Sequence, residues 1–116
     1  MSNDELSEIF YLKKEIQLLQ REIKKVSAMR LFPEAYPPRD ELLDFLRKRL
    51  SRCQAEHDRG IAYIKKIPDT WTKTAFRLRY EEGLAWPMIG LEMGLSGDCC
   101  RQMVHRYLKR HGSAQA

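Results

Sequence analysis

The sequence is poor in the features that staple, span or reinforce other kinds of protein. It contains three cysteines among 116 residues, and two of them, Cys99 and Cys100, are adjacent. An odd count with that spacing makes no disulfide framework and points to a reducing compartment. No apolar run approaches the roughly 18 residues that a membrane span needs. The opening M-S-N-D-E-L is acidic and polar, unlike a secretory signal. Alternating strand patterns, internal repeats and low-complexity tracts are missing, which leaves an all-α class. There is no phosphate-binding glycine loop, nucleophile elbow or carboxylate pair with supporting context. Cys53 and His57 stand four apart, as two metal ligands on one helix face can, but a third ligand is lacking, so packing explains them better. The chain therefore reads as a soluble, cytoplasmic protein that is not an enzyme, with no metal or cofactor expected.

Positive charge is what the sequence has in excess, and it is unevenly placed. The net charge is +5. Residues 1–64 carry twelve Lys and Arg against eleven Asp and Glu, whereas the remainder carries nine against five. An anionic partner is favoured, and the surplus that favours it lies in the C-terminal half. A hydrophobic share of 43% beside a charged share of 32% describes long exposed helices more than a large compact core.

Two long helices are written in the first 67 residues. Ile9, Leu12, Ile16, Leu19, Ile23 and Val26 alternate at spacings of three and four, the a/d stripe of a coiled coil. Glu8, Glu15 and Glu22 fall at g and Lys13 at e, while Phe10, Tyr11 and Leu18 widen the apolar face. Pro33, Pro37 and Pro38 must end that helix. Asp40 can cap the next one, whose stripe runs through Leu43, Leu46, Leu50, Cys53, His57, Gly60, Ile64 and Ile67. The simplest arrangement is an antiparallel hairpin, which can also pair with a second copy. The middle of the second stripe, Cys53, His57 and Gly60, is the weak part of that seam.

After I-P-D, Asp69 or Thr70 can cap a third helix that closes at Gly83, and Trp71, Ala75, Leu78 and Tyr80 are its expected inward residues. Residues 86–105, W-P-M-I-G-L-E-M-G-L-S-G-D-C-C-R-Q-M-V-H, then read as two short helices around a glycine turn. Ile89, Met93, Leu95, Cys100 and Met103 form the expected seam, with Val104 as a further core residue. Gly90 allows close approach, Gly94 suits a left-handed exit from the first helix, and Ser96 caps the second. Pro87 falls in a first turn, where its missing N–H does little harm. The organisation expected is a helical hairpin or coiled-coil arm over 1–67, a helix-turn-helix domain over 68–112 and a tail over 113–116.

If Ser96 caps the second helix, then Gly97, Asp98, Arg101, Gln102 and His105 turn toward a DNA major groove together with Ser96. Arg101 can pair bidentately with guanine and Gln102 with adenine. Asp98 is expected to serve the helix N-terminus electrostatically more than to read cytosine. Lys73, Arg77, Arg106, Lys109 and Arg110, with Arg79 and His111 nearby, are candidate phosphate contacts, which position without specifying. Trp71 and Trp86 are expected in the core and not as base-stacking platforms. Cys99 is expected to be partly exposed and Cys100 buried.

Residues 67–109, through I-P-D, F-R-L-R-Y-E-E-G-L-A-W and I-G-L-E-M-G-L-S, resemble the sigma-factor region 4-like helix-turn-helix of small phage-encoded transcriptional regulators, such as the RinA and ArpU late-gene activators. Such regulators often begin with a coiled-coil-like helical region, which the first helix matches by type. The resemblance implies sequence-specific binding to double-stranded DNA near promoters; RNA polymerase and, through the N-terminal helices, a second copy of the chain are further partners to be expected. Two alternatives share the pattern. One is a phage small terminase subunit, in which a helix-turn-helix is coupled to oligomerising helices. The other is a helical adaptor that uses the same scaffold for protein contacts.

Overall fold

A computed structural model describes residues 1–28 and 39–111, and among them every regular element is helical. Five α-helices follow in order: α1 Asn3–Ala28, α2 Arg39–Lys65, α3 Thr70–Phe76, α4 Trp86–Met93 and α5 Gly97–His111. The last turns of α3 widen into a π-helical segment, Arg77–Glu81. The expected proline joint at Pro33, Pro37 and Pro38 and the tail over 113–116 lie outside the described residues. No helix among the described residues is long and apolar enough to cross a membrane.

α1 and α2 pair along their length as a helical hairpin, and their stripes form its seam. Leu12, Leu19, Leu46 and Cys53 are buried there, with Ile16, Ile23, Val26, Leu42 and Leu50 packed against them. Arg49 crosses the pair and donates to Glu15 Oε1 from Nη2 at 2.6 Å and from Nε at 2.9 Å. The seam is not weak at Gly60. A Cβ there would lie 2.7 Å from Ile9 Cγ1, so the bare backbone is the hole that receives Ile9. His57 is half-buried and turns to Asp58. α2 begins at Arg39, which puts Asp40 inside its first turn instead of at the cap.

The hairpin is welded to the helices that follow it. One continuous core contains Leu6 and Ile9 of α1, Ile64 of α2, Ile67 of the join that follows it, Ala75 and Phe76 of α3, and Tyr80. It continues through Ile89 and Met93 of α4 to Cys100, Val104 and Leu108 of α5. Each large aliphatic or aromatic side chain removed from water in this way stabilises the fold by about 1.5–3 kcal/mol before the entropy of ordering it. The boundary at residue 67 is thus a change of helix and not a break in the core.

α1 has a start signal of its own. Ser2 Oγ accepts from the Glu5 N–H at 3.2 Å while Glu5 Oε1 accepts from the Ser2 N–H at 3.3 Å, a reciprocal cap on the first turn. Asp69 caps α3: its Oδ2 accepts from the Thr72 N–H at 3.0 Å and from Thr72 Oγ1 at 2.6 Å. These bonds, the hydroxyl's first, hold the Asp69 carboxyl below its ordinary pKa. The cap also turns Thr72 inward, so the buried side of α3 is Thr72, Ala75 and Phe76. Trp71 is consequently outside, 54% exposed, contrary to expectation, whereas Leu78 is partly buried and packs against the core as expected. Gly83 ends the segment in a left-handed conformation with φ of 70°, and the Leu84 N–H closes onto the Leu78 carbonyl.

Candidate nucleic-acid interface

α4 and α5 form the expected helix-turn-helix, and three glycines set its geometry. α4 is preceded by Ala85, which supplies no side-chain cap, and carries proline in its first turn. It stops at Gly94, whose φ is 70°, and the N–H groups of Gly94 and Leu95 both reach the Gly90 carbonyl. A Cβ on Gly90 would stand 2.6 Å from the Leu95 carbonyl oxygen and 2.7 Å from the Gly97 nitrogen. One on Gly97 would meet the Trp86 carbonyl group at 2.8 Å. The turn therefore packs backbone against backbone, which only glycine allows. Gly97 belongs to this contact and is not among the outward residues where a base reader was expected.

Ser96 caps α5, its Oγ accepting from the Cys99 N–H at 3.0 Å. Its hydroxyl is thus engaged by the helix itself. Cys100 and Val104 are fully buried beneath α5, and the Cys100 thiol lies 3.9 Å from Met93 Sδ. Burial pushes the Cys100 thiol upward in pKa, so it is packing material and a poor nucleophile. Cys99 is exposed. One seam expectation needs correction. Leu95 is 40% exposed, because the left-handed turn at Gly94 carries it outward, whereas Met103 is partly buried and packs against the core as expected.

The outward side of α5 follows from the same packing. Spacings of four, three and four place Asp98, Gln102, His105 and Lys109 on one stripe, all of them exposed. Arg101 flanks the stripe on one edge, and Cys99, Arg106 and Arg110 flank it on the other. Four cationic side chains thus stand with one carboxylate on this side of the helix. Asp98 is the hub of the first turn. Its Oδ1 accepts from Arg101 Nη2 at 2.6 Å and Nε at 3.1 Å, and its Oδ2 accepts from Gln102 Nε2 at 2.9 Å. The His105 ring meets Trp86 edge to face, with centroids 6.3 Å apart.

The remaining phosphate candidates divide. Arg106 and Arg110 line a shallow depression with Asp69 and Thr72, on the side of α5 that faces the start of α3. Lys109 lies in another, beside Ser2, Asn3 and Asp4 of the first turn of α1. Lys73 is half-buried. Arg77 sits with Lys13, Glu81 and Glu82, 3.9 Å from the Glu81 carboxylate, in a depression that contains no residue of α5. Arg79 is structural. Its guanidinium lies 4.6 Å over the Trp86 ring, and Nη1 donates to the Leu84 carbonyl at 3.0 Å. Trp86 is held half-buried between that cation and His105.

Comparison of the chain with protein-family models, with curated proteins and with solved structures finds no significant match. The geometry of α4 and α5 therefore carries the functional argument by itself. Sequence reasoning missed two parts of this geometry. The hub at Asp98 was legible as a carboxylate three and four residues before an arginine and a glutamine on one helix. The approach of the chain's first turn to α5 carries no local signal.

Proposed function

We propose that the chain is a sequence-specific double-stranded-DNA-binding transcriptional regulator of phage or prophage type. α5 is its recognition helix, seated in the major groove. The observation that carries this reading is the outward side of α5. It presents Arg101, Gln102, His105, Arg106, Lys109 and Arg110 from a helix fixed against α4 by two glycine contacts. Guanidinium and amide groups suit base edges, and the outer cations suit phosphates. A single small module binds modestly, so pairing of two copies, or contact with RNA polymerase through the hairpin, supplies the rest.

Fluorescence anisotropy with labelled duplexes over rising salt tests the reading. Affinity should fall steeply as salt increases, since phosphate contacts release counterions. Salt-independent affinity, or no binding to any duplex at low salt, overturns it. The adaptor reading is favoured by one observation, the exposure of Tyr11, Leu18 and Phe45 on the hairpin. A chain that captures protein partners and no duplex would establish it. A ring-sized assembly by light scattering would instead favour the small terminase.

A further inference from the structure

The hydrogen bonds of Asp98 leave open, on both of its partners, groups that reading bases requires. Arg101 gives the carboxylate its Nε hydrogen and one Nη2 hydrogen. The end of the guanidinium, Nη1 with the second Nη2 hydrogen, remains open, and that pair matches O6 and N7 of guanine. Gln102 gives one hydrogen of Nε2 to the other carboxylate oxygen. Its carbonyl oxygen and one amide hydrogen remain open, an acceptor and a donor of the kinds that N6 and N7 of adenine require. An unheld arginine must give up its rotamer freedom on binding, and here much of it is already spent.

Resting on the proposal that α5 enters the major groove, we infer that Asp98 is the positioning residue of the recognition helix. It holds Arg101 and Gln102 as a preformed pair for a guanine and an adenine in neighbouring base pairs. The carboxylate makes no favourable contact with phosphate and is repelled by it, so its effect on affinity and its effect on discrimination have opposite signs. Simple stabilisation of the helix N-terminus has no such signature: loss of that interaction weakens binding to all duplexes alike.

The test begins with selection of preferred duplexes from a randomised pool by the full-length wild-type chain. Wild type, Asp98→Ala, Asp98→Asn, Arg101→Ala and Gln102→Ala are then titrated, at one salt concentration, against the selected duplex and its single-base-pair variants. Each bidentate pair discriminates by on the order of five- to 150-fold. Asp98→Ala should lose at least fivefold of preference at both positions, those relaxed singly by Arg101→Ala and by Gln102→Ala. Its affinity for unrelated duplex should stay level or rise. In an Arg101→Ala background, Asp98→Ala should relax the arginine-read position no further. Circular dichroism identifies any variant that has lost its helices, in which case Asp98→Asn, which keeps the side-chain shape, carries the test. Uniform weakening with base preference intact overturns the positioning role while leaving DNA binding standing. Failure of the wild-type chain to prefer any duplex overturns the DNA-binding proposal itself, and the inference with it.

Discussion

Tyr80 Oη donates a hydrogen bond to Asn3 Oδ1 at 2.5 Å, joining the first turn of the chain to the π-helical end of α3. The ring is buried among Phe76 and its neighbours, so the hydroxyl depends on this one partner at the rim of the core. Tyr80→Phe and Asn3→Ala should each destabilise the chain by about 1 kcal/mol. The double variant should lose little more than either one, as read by urea denaturation in a double-mutant cycle.

The same tyrosine makes stability depend on alkaline pH. Burial pushes its pKa up to about 12, above the ordinary value near 10 of an unfolded tyrosine. A group whose folded pKa is raised contributes fully below the unfolded value and loses that contribution as pH rises through the folded one. The urea midpoint should therefore fall between about pH 10 and about pH 12, and the fall should be shallower in Tyr80→Phe. Equal slopes in the two proteins would remove Tyr80 as the cause.

Gly60 poses a contest between helix propensity and packing. Alanine is favoured over glycine in a helix interior by about 1 kcal/mol. Its methyl, however, would lie 2.7 Å from Ile9 Cγ1, and Ile9 is itself almost wholly buried. Overpacking costs about 1–3 kcal/mol, so Gly60→Ala should be net destabilising in thermal melts. Ile9→Val on that background should recover part of the loss by opening room on the other helix.

Tyr63 tests the opposite case, a polar atom without a partner. Its hydroxyl is buried and makes no hydrogen bond, while its ring packs against Phe76 and Tyr107. Tyr63→Phe keeps the ring and removes the stranded hydroxyl, so it should leave the melting temperature unchanged or raise it. A loss of more than about 1 kcal/mol would mean that the hydroxyl does have a partner in solution.

The thiols report on the fold and on the interface at once. Cys53 and Cys100 are buried and shifted up by that burial, whereas Cys99 is exposed on the flank of α5. A thiol reagent should label one site quickly in the native chain and the other two only on unfolding. If α5 lies in the major groove, saturating duplex should slow the labelling of Cys99, and unchanged labelling would argue against that placement. At the contacts themselves, Arg101→Ala should cost about 1–3 kcal/mol at one base pair, while Lys109→Ala should weaken all duplexes and lower the salt slope by about one.

Much of this molecule was legible where the physics is local and periodic. The stripes of α1 and α2 repeat often enough to fix their faces, and Gly90, Gly94 and Ser96 sit where a turn and a cap demand them. The failures lie where a helix is too short for its phase to be read. In α3, one residue of rotation exchanged Trp71 for Thr72, and the carboxylate cap at Asp69 decided that exchange. Phe76 and Leu6 are at the centre of the core, yet each belongs to a face completed only by distant partners. At the candidate interface, spacing named Arg101 and Gln102 correctly as neighbours on an outward surface. It did not reveal that Gly97 faces the Trp86 backbone, which is a property of two helices and not of one.

The join between α2 and α3 is four residues long, and Ile67 in the middle of it is buried in the shared core. That joint has no slack with which to swivel. The hairpin is consequently a handle rigidly attached to the head that carries α5. A partner gripping the hairpin also sets the angle of α5, and a second copy paired along the hairpin would fix the spacing and phase of two such helices along a duplex.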